Sequence, residues 1–236
     1  MRERVLDVLV DVSARPDAVR VLGVGASVAD DVAHNTTLRE APTAPAAQVY
    51  TGVLYAAADL GGLDDDGAER GARSVRIMSA LWGLLSPADA IPAYRLPIGA
   101  PLPGLERLPT LWREQLAGVL DPLAAEHLVV DCRSGDYTIA WRGAPRGTAG
   151  PGHVTVRVLS ETDGVRTVVS HWAKQTRGLL TGHLLRRTGP DPSTPEELRD
   201  AAAEMIGDRL LDVGLEPRSG GRHVLSLVVP GLAARR

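Results

Sequence analysis

Lys174 is the only lysine among 26 basic residues, the others all being arginine. A primary amine can lose its proton when desolvated and act as a nucleophile, or it can serve as a compact cation for a phosphate, whereas a guanidinium stays charged and flat. Arg177 follows three residues on, which places it on the same face of a helix, so the two could hold one anion between them. Further polar residues stand where strands are predicted to end. Ser79 closes one, Asp131, Arg133 and Ser134 close another, and the run His171 to Gly178 lies where a hairpin hands over to a helix. In open α/β sheets ligands sit at such edges, because the loops there can aim side chains and helix N-termini at one point. The same residue types also cap helices and satisfy loop backbone, and that structural role is the commoner one. Asp89, Tyr94 and Arg95 flank Ile91-Pro92, and a pairing of Arg95 with Asp89 that staples this loop is preferred over ligand contact.

Signatures with a fixed mechanism are missing. The chain has no phosphate loop, no Gly-x-Gly-x-x-Gly, no His-Glu-x-x-His, no Cys-x-x-Cys and no Gly-x-Ser-x-Gly. A conventional nucleotide hydrolase, dinucleotide enzyme, zinc hydrolase or α/β-hydrolase is thereby disfavoured, and no catalytic residue is assigned beyond the candidates Lys174, Ser79 and Ser134. The single Cys132 cannot form an internal disulfide, and the six histidines are scattered without a pair at metal-ligand spacing. No metal or cofactor is expected, and a reducing cytoplasm is the natural setting. No run approaches the 18 or so apolar residues needed to span a bilayer, so no membrane role is expected. The four tryptophans, Trp82, Trp112, Trp141 and Trp172, read as core or edge packing, because interleaved aromatic and basic stripes are absent.

A net charge of -3 over 236 residues argues against coating nucleic acid by bulk attraction. The charge is nevertheless uneven. Between Arg133 and Arg187 nine cations stand against three anions, a local +6 on an otherwise acidic chain. DNA held in a basic cleft and a small anionic ligand are the two partners this pattern allows, and the oligomeric state is not legible.

The elements that must position these residues are read from periodicity. With 44% hydrophobic residues, one domain over 1–236 can bury a sizeable core. Val5, Leu6, Leu9 and Val12 recur at helical spacing, and a second short helix covers Ala18 to Leu22. Ala41 to Pro45 reads as a loop, Gln48 to Leu60 becomes helical after Gly52, and Gly61 to Gly71 reads as a solvent loop. Ser74 to Ser79 is a buried strand, Leu81 to Leu85 one helical turn, and Thr110 the cap of a helix running to about Leu120. His127 to Asp131 is a second buried strand. Val154 to Leu159 and Val165 to Ser170 flank Asp163-Gly164 as a hairpin. A helix from Ala173 to Arg187 follows, Thr194-Pro195 starts another, Val224 to Val229 is a last strand, and Arg235-Arg236 a loose tail. The layout is α/β in the α+β sense, a single compact domain with a mixed sheet flanked by helices.

Taken together, Tyr50-Thr51-Gly52-Val-Leu-Tyr55, Ile77 to Leu85 with Pro87 and Asp89, Pro92-Ala-Tyr94-Arg95-Leu96, and Trp172-Ala-Lys174-Gln-Thr-Arg177-Gly178 resemble, in order and spacing, the motifs of YaaA-like peroxide stress proteins. The resemblance covers about Asn35 to Leu211. It implies a compact fold called a cantaloupe fold, with a positively charged cleft and a helix-hairpin-helix element, here over 173–209. It implies a role in peroxide stress, in which free iron is lowered and iron-dependent damage limited, and it implies DNA binding, with Lys174, Arg177, Arg186 and Arg187 as phosphate contacts. An enzyme acting on a small anionic or nucleobase-like molecule around Lys174 is the alternative. The family's opening apolar strand and Ser-Pro motif have no counterpart here. Its Asn-Leu-Ala-Ser segment appears as Asp131-Cys-Arg-Ser134, which supports carrying over Ser134 but not Asp131 or Arg133.

Overall fold

The structure, a computed structural model, describes residues 1–143, 145, 147, 150–169 and 172–231. Arg146, Ser170, His171 and the Arg235-Arg236 tail, which entered the sequence reading, lie outside the described residues. In chain order the helices are α1 (Arg2–Ser13), α2 (Ala18–Val21), α3 (Ala29–His34), α4 (Ala46–Val49), α5 (Val53–Ala58), α6 (Asp65–Ser74), α7 (Leu108–Glu126), α8 (Tyr137–Ala140), α9 (Ala173–Arg186) and α10 (Pro195–Ala203). The strands are β1 (Thr43–Pro45), β2 (Ile77–Ser79), β3 (Gly83–Leu85), β4 (Ala90–Pro92), β5 (Val129–Asp131), β6 (His153–Thr162), β7 (Val165–Val168), β8 (Asp212–Arg218) and β9 (Arg222–Pro230). The fold is mixed α/β, as its sequence predicts. Its residues group into two compact units, one of Met1–Val49, Ala72–Gly118 and Arg133–Arg142, the other of Tyr50–Gly71, Val119–Cys132 and Gly143–Arg236.

The first unit is mainly helical, with two small antiparallel ribbons, β1 with β4 and β2 with β3. Val5, Leu6, Leu9 and Val12 form the buried stripe of α1 that their spacing requires. The second unit holds the main sheet, in the order β5-β6-β9-β8 with β7 on the far part of β6. β5 and β9 run parallel to β6, while β7 and β8 run antiparallel to their neighbours, so the sheet is mixed. Val154, Val156 and Val158 alternate inward along β6 and meet Leu225, Leu227 and Val229 of β9, with Leu180 of α9 and Leu198 and Ala202 of α10 packed in the same core.

The strongest local signals hold. Asp163 (φ 51) and Gly164 (φ 76) supply the two left-handed residues of the β6–β7 turn. Thr194 caps α10, its hydroxyl accepting the Glu197 N–H at 3.2 Å, with Pro195 in the first turn.

Elsewhere the chain departs from the sequence reading, each time for a physical reason. Gly61 to Gly71 is not all loop, since α6 begins at Asp65. Asp64 accepts the Gly67 N–H at 2.8 Å as a cap, and Asp65 and Asp66 favour the positive end of the helix. A Cβ at Gly67 would crowd the Asp64 carboxylate at 2.9 Å and the Leu185 carbonyl at 3.2 Å, whereas Gly71 is in ordinary contact with Leu63 and Leu185. Ala41 to Pro45 contains β1, a strand short enough to tolerate Pro45 at its end. Leu81 to Leu85 is not a helical turn. Gly83 adopts φ 81, the chain reverses, and Gly83–Leu85 pairs with β2 over the Trp112 ring. Thr110 is no cap, because α7 already starts at Leu108 and runs through Pro122 to Glu126. β8 was missed because Gly214 and Pro217 break its apolar alternation.

α9 lies on α5 at a separation only glycine allows. A Cβ at Gly178 would stand 2.2 Å from the Leu54 carbonyl oxygen, and one at Gly182 2.7 Å from that of Ala58. Gly178→Ala should therefore destabilise the protein by about 3 kcal/mol in urea unfolding, the upper end of overpacking costs. An unchanged midpoint would contradict this packing.

Candidate functional site

In the first unit Ser79 ends β2 at 2% exposure. Its Oγ accepts the Trp82 N–H at 2.8 Å and shares a proton with the Tyr94 hydroxyl at 2.7 Å. The next residue, Arg95, is held by Asn35, which is fully buried. The Asn35 amide accepts the Arg95 N–H at 2.9 Å and donates to the Arg95 carbonyl at 2.9 Å and to the Ser13 hydroxyl at 3.1 Å. Arg95 leaves its side chain exposed, and the expected Arg95–Asp89 staple does not form. Asp89 instead accepts the Ser86 N–H at 2.8 Å and fixes its own turn. Arg133 donates to the Tyr137 carbonyl and to Met78 Sδ, both at 3.1 Å, and stands 5.1 Å over the Trp141 ring. The unit thus brings Ser79 and Tyr94 into contact and attaches the Arg133 loop beside them through Met78, with Ser134 exposed on that loop. A serine this buried and this engaged clasps a turn rather than attacking a substrate.

In the second unit Lys174 is exposed in the first turn of α9, its ammonium in no ion pair among the described residues. The neighbouring arginines are spent on structure. Arg177 donates twice to the Val156 carbonyl, at 3.1 and 2.9 Å, tying α9 to β6. Arg186 reaches the Ala58 carbonyl at 2.9 Å and the Asp59 carboxylate at 2.7 Å. Arg187 pairs with Glu204 at 2.6 Å and holds that carboxyl below its usual range. Arg157 bonds Ser226 and Glu216, and Arg166 bonds Glu161 at 2.7 Å and Asp212 at 2.8 Å. The local +6 is thus largely offset by Asp59, Glu204, Asp212 and Glu216, acids drawn from outside that segment. Tyr50 stacks on Tyr55 with ring centres 5.0 Å apart, while Thr51 and Gly52 are exposed just before α5.

Sequence reasoning missed Asn35 and Arg70. Arg70, on α6, donates to the carbonyls of Arg187 at 2.6 Å and Leu185 at 3.3 Å and pairs with Asp191 at 2.9 Å, fixing the connection between α9 and α10. The only signal for either was an amide or a guanidinium in a stretch otherwise unremarkable. Asp131 and His153, both over 90% buried, face each other at 3.3 Å. Among the described residues no group of three His, Cys, Asp or Glu is placed to hold a metal ion, and no helix is long and apolar enough to cross a membrane. Cys132 lies beside Thr181, whose hydroxyl is 3.9 Å from Sγ, and burial pushes its thiol up to about 11.

The four motifs therefore work in pairs. Ile77 to Leu85 meets Pro92 to Leu96 through Ser79 and Tyr94, and Tyr50 to Tyr55 meets Trp172 to Gly178 through the contact of Gly178 with Leu54. Such a chain is a mixed α/β protein whose shared residues lock its own elements in place. The sequence profile of the family described as peroxide stress protein YaaA matches residues 2–205. A UPF0246 protein of Streptomyces coelicolor is 42% identical over 228 residues, covering 94% of this chain and 83% of its own. A UPF0246 protein of Corynebacterium efficiens is 36% identical over 216 residues, covering 90% and 81%. The chain belongs to the YaaA peroxide stress family.

Two outcomes follow from this geometry. Asn35→Ala should cost about 3 kcal/mol in chemical denaturation, because it removes three hydrogen bonds, two to the Arg95 backbone and one to the buried Ser13 hydroxyl, and Ser79→Ala should cost less, since it removes two part-buried ones. Equal losses would mean that Asn35 is not the anchor. Because only the thiolate is nucleophilic, a Cys132 pushed up to about 11 should react with alkylating agents or hydrogen peroxide at pH 8 roughly a hundredfold more slowly in the native protein than in urea. Equal rates would contradict the raised thiol pKa of this partly buried residue.

Proposed function

We propose that this protein is a cytoplasmic member of the peroxide-stress response that binds DNA through phosphate contacts from the α9–α10 region, the place of the helix-hairpin-helix element, and so limits iron-dependent damage where it occurs. The observation that carries this reading is the contrast between Lys174 and its neighbours. Lys174 is exposed and in no ion pair among the described residues, whereas Arg177, Arg186 and Arg187 are held by carbonyls and carboxylates. An exposed ammonium stays hydrated, which suits a phosphate contact better than the desolvated amine that covalent chemistry would need. That exposure also weighs against the rival reading of an enzyme built around Lys174.

Few phosphates are engaged in this account, so affinity for a duplex oligonucleotide should fall with salt at a shallow slope, about -1 to -3 in log–log form. Lys174→Ala should lower that slope by about one. Arg177→Ala should instead lower the melting temperature and leave the slope alone, since its guanidinium serves β6. Undetectable binding at low salt, or a slope insensitive to Lys174→Ala, rejects the reading.

A further inference from the structure

β7 is the outer strand of the main sheet, and among the described residues it pairs with β6 alone. All four of its residues are exposed, and Val165 and Val168, at 64% and 74%, are the most exposed large apolar residues described. Edge strands are ordinarily guarded against pairing by charge, proline or a bulge. β7 carries no proline, and its register on β6 is unbroken from Leu159↔Val168 to Thr162↔Val165. Its one charge is withdrawn. Arg166 folds back over the sheet to Glu161 at 2.7 Å and Asp212 at 2.8 Å, and so leaves the open edge neutral.

The turn decides which backbone groups face outward. In a two-residue hairpin the residues flanking the turn, Thr162 and Val165, form a bonded pair, and bonded pairs then alternate, so Ser160 and Thr167 are the next. The Val169 N–H returning to the Val158 carbonyl at 3.3 Å continues that alternation. Arg166 and Val168 are left presenting N–H and C=O to the open side.

We propose that this edge pairs with the β7 edge of a second copy of the chain, antiparallel about a two-fold axis, extending the sheet across both copies. In the favoured register Arg166 exchanges both backbone bonds with Val168 of the other copy, and Val168 with Arg166. Thr167 meets Thr167 at the axis, and Val165 meets Val169. An apolar pair thus lies on each side of a threonine pair, and no like charges stand opposite one another. A slip of one residue sets outward groups against inward ones, and a slip of two sets Arg166 against Arg166 or carries Val165 off the end, so the match is specific to the strand's own sequence. The pairing is short, so the dimer is weak and concentration-dependent.

Sedimentation velocity on the full chain over a wide concentration range should show a monomer–dimer equilibrium. Val168→Lys, which keeps every backbone bond but charges the edge, and Val168→Pro, which removes an outward donor, should each weaken association by roughly tenfold or more. Val119→Lys, at a valine 51% exposed on α7, should leave association unchanged. Circular dichroism and melting curves check that the variants fold, and Val168→Lys decides if the proline variant does not. Thr167→Cys should oxidise to a disulfide-linked dimer, and Val119→Cys should not, both made on a Cys132→Ser background so that the partly buried native thiol takes no part. A full chain monomeric at every concentration, an association untouched by both Val168 variants, or no disulfide from Thr167→Cys would each overturn the proposal.

Discussion

The close approach of α9 to α5 sets the arrangement of the second unit. With no side chain at Gly178, α9 lies against the Leu54 carbonyl, and the rest of its residues take their places from that contact. Arg177, one residue earlier, is turned to the Val156 carbonyl, Thr181 to Cys132, and Arg186 to the last carbonyls of α5. Lys174, in the first turn, is exposed to solvent. A larger residue at Gly178 would shift every one of these groups together, because a helix moves as a body.

Charge counted along the chain and charge presented by the fold are different quantities. The segment from Arg133 to Arg187 carries a surplus of cations, but folding sets Arg157 on Glu216, Arg166 on Asp212, Arg186 on Asp59 and Arg187 on Glu204. Guanidinium groups suit such fixed, multidentate roles, and the chain uses them as ties between elements. Among the described residues the Lys174 ammonium forms no ion pair. Along α9 the arginines Arg177 and Arg186 are tied to neighbouring backbone, whereas Lys174 is exposed.

Much of the fold was legible where signals are local. The stripe on α1, the Asp163-Gly164 turn and the Thr194-Pro195 start of α10 need only neighbours in sequence, and each appears as read. The misreadings come from residues whose meaning depends on distant partners. Gly67 looks like a loop residue but makes room for the Leu185 carbonyl, and Gly83 looks like part of a helical turn until Trp112 fills the space beneath it. The candidate residues were likewise found without their roles. Ser79 and Tyr94 were picked out separately, yet nothing in their spacing foretold that they bond to each other, or that Asn35, some sixty residues before Arg95, holds the segment in place.

For the proposed binding of nucleic acid, the single lysine makes the contacting cation directly observable. Reductive methylation with a 13C label places NMR probes on Lys174 and the N-terminal amine alone, and the Nε–H signals of the arginines report on the ties. On titration with a duplex oligonucleotide, the Lys174 methyl signal should shift and return on adding salt, while the Arg177 Nε–H signal stays fixed by the Val156 carbonyl. A stationary Lys174 signal together with a shifting Arg177 signal would contradict the division of roles proposed for α9.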